Sequence, residues 1–273
     1  MNNKVAICIS GSPREYTKCY PSFEQHILFP LKKLNYDCDI FIVTWKFVIP
    51  PLIKKPKQIK EPNVNINELI SLYKPISCSY YPYTKETKNN LYTLSKFKNF
   101  QNGCRCQSKS FFCNKCAGTS IHNHLAMFYN IWKVNQLKLT HEERLSFKYK
   151  YVIRNRFDNL FLESLTQSIL DLVKNKTIVI PRFYQNIDQF AVGTSTDMDI
   201  YSNIFFRMLY YVLLSIDKHP RLSLNRIIPR YMMREYFSNN NIKISEPILR
   251  RIIYYKKRLL KKLQKHRPKF DWV

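Results

Sequence analysis

Acid is what this chain most lacks: 19 Asp+Glu stand against 45 Lys+Arg in 273 residues, for a formal net charge of +26. A surplus of this size excludes a neutral surface and implies an anionic partner, whether nucleic acid, acidic membrane or a phosphate-bearing substrate. Half of it lies late, with 17 basic and 4 acidic residues in 201–273. Long apolar runs are also missing. The longest early one, Val5 to Ile9, is too short to span a bilayer and has no cleavage site. Neither a membrane span nor an export leader is expected, and the expected compartment is the cytoplasm. Glycine is scarce, with four in all, and no internal repeat is present. What is plentiful, 45% hydrophobic and 15% aromatic residues, excludes a disordered chain and suffices for one large core or two modest ones.

Lys4–Ser10 is apolar and β-branched and stops at Gly11-Ser12-Pro13-Arg14, which reads as a buried strand ending in a tight turn. Residues 22–34 carry Phe23, Ile27, Leu28, Leu31 and Leu34 at near-helical spacing, and Asp37–Trp45 returns to a continuous apolar strand. This β-α-β unit predicts a parallel sheet, whose ligands bind beyond the carboxyl ends of its strands. Further on, the pattern predicts a short helix near Ile66–Tyr73, a strand near Ile76–Tyr81, a helix over Thr119–Leu137 and a strand over Tyr149–Phe157. It then predicts a helix over Leu162–Lys174, a strand over Thr177–Pro181, a loop over Asp188–Gly193, and helices over 198–216 and 223–237. The fold class expected is α/β, a mostly parallel Rossmann-like sheet flanked by helices. Its catalytic domain spans 1–217, interrupted by a polar, Cys-rich insertion at 84–117, and a helical basic extension covers 218–273.

Three strand-end motifs carry the chemistry: Ser10-Gly11-Ser12-Pro13-Arg14, the Arg154/Arg156/Asp158 triplet, and Asp188-Gln189. Alternate residues of a strand share a face, so 154, 156 and 158 are expected to meet one ligand. Planar guanidinium forks suit a diphosphate, and a lone carboxylate suits a divalent cation that bridges phosphate oxygens. A sugar nucleotide is the ligand class this combination points to. Plainer readings stand beside it: Arg154 and Arg156 as surface arginines, Asp158 as a helix N-cap, Asp188 as an Asx-turn residue, and Ser10-Gly11 as a turn only.

These motifs resemble those of viral and bacterial GT-A type glycosyltransferases, in which a first strand ends in Ser-Gly-x-Pro-Arg and Arg-x-Arg-x-Asp and Asp-Gln-Phe motifs follow. Asp39-Ile40-Phe41-Ile42 with Thr44-Trp45, and Met127-Phe128-Tyr129-Asn130-Ile131, are further matching pieces, and the resemblance covers roughly residues 3–205. It implies transfer of a sugar from a nucleoside diphosphate donor to a glycan or lipid-linked acceptor. It also implies Mn2+ or Mg2+ at Asp158, although the first Asp of the family's Asp-x-Asp is Arg156 here, so one carboxylate is offered instead of two. A late His-Pro-Glu motif reads His219-Pro220-Arg221, so no glutamate role is carried over. Asp188 is the expected catalytic base, Arg14, Arg154 and Arg156 the expected leaving-group partners, and Gln189 a holder of sugar hydroxyls. Ser10, Gly11, Thr44 and Trp45 complete the expected donor-binding set.

Cys104, Cys106, Cys113 and Cys116 supply four thiols in thirteen residues, the donor set of a structural zinc in which His122 or His124 could replace one thiolate, or else four free thiols or transient disulfides. Residues 248–269 combine an apolar stripe with ten Lys/Arg between Arg250 and Lys269 and no acid. Such a helix packs on the catalytic domain, lies on an anionic membrane surface, or contacts nucleic acid or another polyanion. Two alternatives to the enzyme are a basic, zinc-containing nucleic-acid-binding protein and a catalytically inactive GT-A-like subunit. The Lys, Asn, Ile and Tyr bias is that of an A/T-rich genome, viral or bacterial, which would place the protein in a host cytoplasm or a virion.

Overall fold

Strand β1 (Lys4–Gly11) is apolar on both faces, and that decides its place. Ala6 and Cys8 enter one hydrophobic core and Val5, Ile7 and Ile9 the other, so helices must cover both sides of it. The computed structural model describes residues 3–46, 64–82, 84–95, 121–180, 188–218, 231–246 and 251–253. Within these, β1 pairs in parallel with β2 (Asp37–Trp45) and β4 (Tyr151–Asn155), and β2 pairs in parallel with β3 (Ser77–Tyr81). Beyond β4 lie β7 (Ala191–Gly193), β6 (Thr177–Val179) and β8 (Lys243–Ser245). The order is β3-β2-β1-β4-β7-β6-β8. Only β7 runs against its neighbours; the other pairings are parallel. The architecture is α/β with a mostly parallel sheet flanked by helices, as expected.

One face is covered by α5 (Ile121–Arg144), α7 (Ser195–Lys218) and α8 (Met233–Asn239), whose Leu125, Phe128, Ile204, Met208 and Phe237 are fully buried. The other is covered by α1 (Tyr16–Phe23), which continues through a π-turn at Glu24–Leu28 into α2 (Phe29–Lys33), and by α3 (Ile66–Tyr73) and the single turn α6 (Gln167–Leu170). Burying each large apolar side chain contributes about 1.5–3 kcal/mol. Pro30 has no N–H to return to the His26 carbonyl, and the Leu165 N–H donates there instead at 2.8 Å. This bond ties the segment after β5 (Asn159–Phe161) to the first helix.

Several expectations are corrected. The strand expected over Tyr149–Phe157 ends at Asn155, because the chain turns at Phe157-Asp158 into β5. The helix over Leu162–Lys174 is one turn, since Leu165 is drawn out of line by His26. Asp188–Gly193 is not all loop, as Ala191–Gly193 pairs with β4. The expected insertion begins with α4 (Lys85–Leu94), capped by Thr84 and anchored in the core by Leu91, so this part is not separate from the fold. Arg251–Ile253, where the tail helix was expected, is instead β9, paired with β5. The rest of 248–269, the four clustered cysteines and His219–Arg221 lie outside the described residues. No helix among the described residues is long and apolar enough to cross a membrane.

Candidate active site

The carboxyl ends of three adjacent parallel strands, β2, β1 and β4, bring the motifs together. Gly11 closes β1 at φ +123°, a backbone conformation that L side chains rarely adopt, and so turns the chain away from the sheet. Its carbonyl accepts from Thr44 Oγ1 at 2.9 Å, while the Ser10 carbonyl accepts from Arg154 Nη2 at 3.1 Å. The neighbouring strands thus hold the end of β1 from both sides. Thr44 serves here as a lock between strands, and Trp45 is 2% exposed, packed edge-on against Tyr81 in the core. Neither is presented at the strand ends in the way the donor-binding expectation assumed. Arg14 lies, half-buried, in the turn that follows.

Arg154 sits opposite Cys8 in β4, on the α5–α7 face, and is 1% exposed, which removes the surface-arginine reading for it. Burial pulls its pKa below the ordinary arginine range and Arg156 adds to this, while Tyr201 and Asp188 act the other way. Two residues on, past the end of the strand, Arg156 is at the mouth, with 18% of its side chain exposed. The shared face expected for 154, 156 and 158 therefore does not continue past Asn155. Instead, Arg156 grips Asp158 with both arms of its fork, Nε to Oδ1 and Nη2 to Oδ2, each at 2.8 Å. Asp188 joins because β7 runs antiparallel to β4, with Arg154 opposite Ala191, so the residues just before β7 lie at the carboxyl end of β4. Asp188 Oδ2 is 3.7 Å from Arg156 Nη1.

Sequence reasoning missed the support beneath this loop. Asn159 Nδ2 donates to Asn155 Oδ1 at 2.6 Å and to the Gln189 carbonyl at 3.1 Å, and all three residues are buried. An Asn pair four apart across a strand end was the available signal. Four buried polar atoms in this region have no hydrogen-bond partner: Ser10 Oγ, Arg154 Nε, Arg154 Nη1 and Asp188 Oδ1. Each such orphan costs about 1–3 kcal/mol. All four belong to residues at or next to the carboxyl ends of β1 and β4, and buried groups left without partners call for an explanation.

The resemblance implies a divalent cation at Asp158. Both Asp158 oxygens are engaged by Arg156, and the Asp158 side chain is 1% exposed. Mn2+ or Mg2+ needs several oxygen ligands and keeps some of its water, and a guanidinium at 2.8 Å repels it. As placed, Asp158 does not fit such an ion. Among the described residues no group of three or more His, Cys, Asp and Glu is placed to hold a metal.

No protein-family model matches the sequence, and no curated protein matches it. Among solved structures, the chain is similar to mouse xyloside xylosyltransferase 1 in its apo form. The identity is 8% and the TM-score 0.44, over 90% of this chain and 84% of that one. A likeness of this degree carries no functional argument.

Proposed function

We propose that this protein is a glycosyltransferase that moves a sugar from a nucleoside diphosphate donor onto a glycan or lipid-linked acceptor. One observation carries the reading: Arg156 and two carboxylates, Asp158 and Asp188, drawn from segments thirty residues apart, meet past the carboxyl end of β4, and Ser10, Arg154 and Asp188, at or next to the ends of β1 and β4, carry unpartnered buried atoms. Ligands of open α/β sheets bind at such strand ends. In the reaction, the acceptor hydroxyl oxygen bonds to the anomeric carbon as the bond from that carbon to the diphosphate breaks. Arg156 and Arg154 stabilise the charge that grows on the departing diphosphate. Asp188 takes the proton of the acceptor hydroxyl, for which its orphaned Oδ1 is suited, and Gln189 orients the sugar.

The test is a thermal-shift panel of nucleoside diphosphates and nucleotide sugars, followed by a transfer assay with the donor it selects. One donor class is expected to raise the melting temperature selectively, since a ligand at a hundredfold its Kd stabilises the native state by about 2.7 kcal/mol. Asp188→Asn should keep donor binding and lose transfer by about 10²–10⁴-fold, the usual weight of a general base. Full transfer by that variant removes the base assignment. No shift with any donor, together with tight salt-sensitive DNA binding, replaces the reading with the nucleic-acid one.

A further inference from the structure

We propose that this site binds its diphosphate without a divalent cation, because the Arg156 guanidinium stands where the cation would be and Asp158 serves as its anchor. The inference rests on the transferase reading above and concerns how that site meets the donor's charge. A metal-bridged diphosphate needs a cation held between carboxylates at the mouth of the strands. Here the group between the two carboxylates is Arg156: Nε and Nη2 on Asp158 at 2.8 Å, and Nη1 facing Asp188 Oδ2 at 3.7 Å. The Asp158 oxygens that would ligate a metal are thus committed to an arginine two residues earlier in the same turn. Its side chain, 1% exposed, leaves no room for the water a hard cation retains.

The exposures assign the roles. Arg154 is 1% exposed and holds the Ser10 carbonyl, so it acts from beneath. Arg156 reaches the mouth, and its planar fork is a shape that matches phosphate oxygens. Asp158 is then a positioning residue. It fixes the χ angles of Arg156 and balances its charge in a nearly closed pocket, and it does not touch the donor. The replacement of the first carboxylate of an Asp-x-Asp pair by Arg156 is compatible with function on this account, since the position changes from a cation ligand to the cation itself.

The experiment is calorimetric titration of the full chain with inorganic pyrophosphate, in excess EDTA and again with Mn2+, alongside Mn2+ alone. Pyrophosphate should bind in EDTA no less tightly than with Mn2+, and Mn2+ alone should give no saturable heat. Asp158→Asn, which loosens the anchor of Arg156, should weaken pyrophosphate binding by the same factor in EDTA and in Mn2+, because Asp158 acts through Arg156 and not through a metal. Arg156→Gln should weaken binding by about tenfold or more, and Arg156→Lys should restore part of it. Pyrophosphate binding that requires Mn2+ and vanishes in Asp158→Asn overturns this inference and leaves the transferase standing. No pyrophosphate binding in either condition overturns both. Should Asp158→Asn fail to fold, the EDTA and Mn2+ titrations of the unaltered chain decide alone.

Discussion

Replacing Lys138 by methionine tests whether the amino-terminal side of the sheet is held by a buried ionic hub. Lys138 Nζ, fully buried in α5, donates to Ser195 Oγ at 2.6 Å and Asp199 Oδ1 at 2.7 Å and lies 3.1 Å from Glu142 Oε2. Ser195 and Asp199 belong to α7, so one ammonium joins the two long helices on that face. Losing one member of a buried pair typically costs about 3–5 kcal/mol, because the partner charge is stranded. Here the stranding is partial. Glu142 keeps the Ser195 hydroxyl, the Tyr149 amide and Lys148, and Asp199 keeps Asn135. Methionine preserves most of the volume, so little cavity forms. The expected loss is therefore about 3 kcal/mol, at the low end of that range. For a chain of this size it corresponds to a fall in Tm of about 6–12 °C. Equilibrium urea unfolding at pH 7 gives the free energy, and a cycle with Glu142→Gln gives the coupling, expected at about 1–3 kcal/mol. A Lys138→Met variant within about 0.5 kcal/mol of the parent, with no coupling to Glu142, would refute the claim that this network holds the helices together.

Two further outcomes follow from the same geometry. Burial alone would raise the pKa of Glu142, but hydrogen bonds from Ser195 and the Tyr149 amide and the Lys138 charge outweigh it, leaving it below the ordinary 4.5. The folded state thus favours the ionised form, and this stability is present above about pH 4.5 and lost as pH falls through the depressed value. Urea midpoints of the parent and Glu142→Gln should be far apart at pH 7 and converge in acid; a gap that widens in acid reverses the assigned direction. Gly11→Ala meets no atom within 4 Å of the added carbon, so its cost is that of the backbone at φ +123°, about 1–3 kcal/mol by thermal melting. A neutral substitution would show that the turn relaxes freely.

The N-terminal β-α-β unit was legible because the evidence for it is local. A run apolar on both faces, as in Val5–Ile9, must be covered twice whatever the rest of the chain does. The ends of elements were less legible, for equally physical reasons. Nothing in Tyr149–Phe157 says that pairing stops at Asn155, since β1 beside it runs on to Gly11 and it is the turn at Phe157-Asp158 into β5 that ends the strand, and Leu162–Lys174 keeps a helical pattern that a bond from Leu165 to His26 overrides. The helix expected to end at Leu137 runs on to Arg144, so Lys138 and Glu142 lie outside the expected element, and it is α7 closing over them that makes the pair a buried one.

The candidate site shows the same division in sharper form. The structure brings Arg156 against Asp158 and Asp188 and Arg154 against the Ser10 carbonyl, whereas the sequence treats the two arginines as equivalent. The end of β4 separates them, leaving Arg154 buried on the α5–α7 face and Arg156 just past the strand, 18% exposed. The motif also offers Asp158 as a ligand, because a carboxylate at that spacing is all a pattern can register. Whether it is a ligand or a counter-ion depends on which group reaches its two oxygens first, and that is decided by a side chain two positions away. Arg156 brings a fixed positive charge to both oxygens of Asp158, so neither position can be read without the other: the arginine is held by the carboxylate, and the carboxylate is occupied by the arginine.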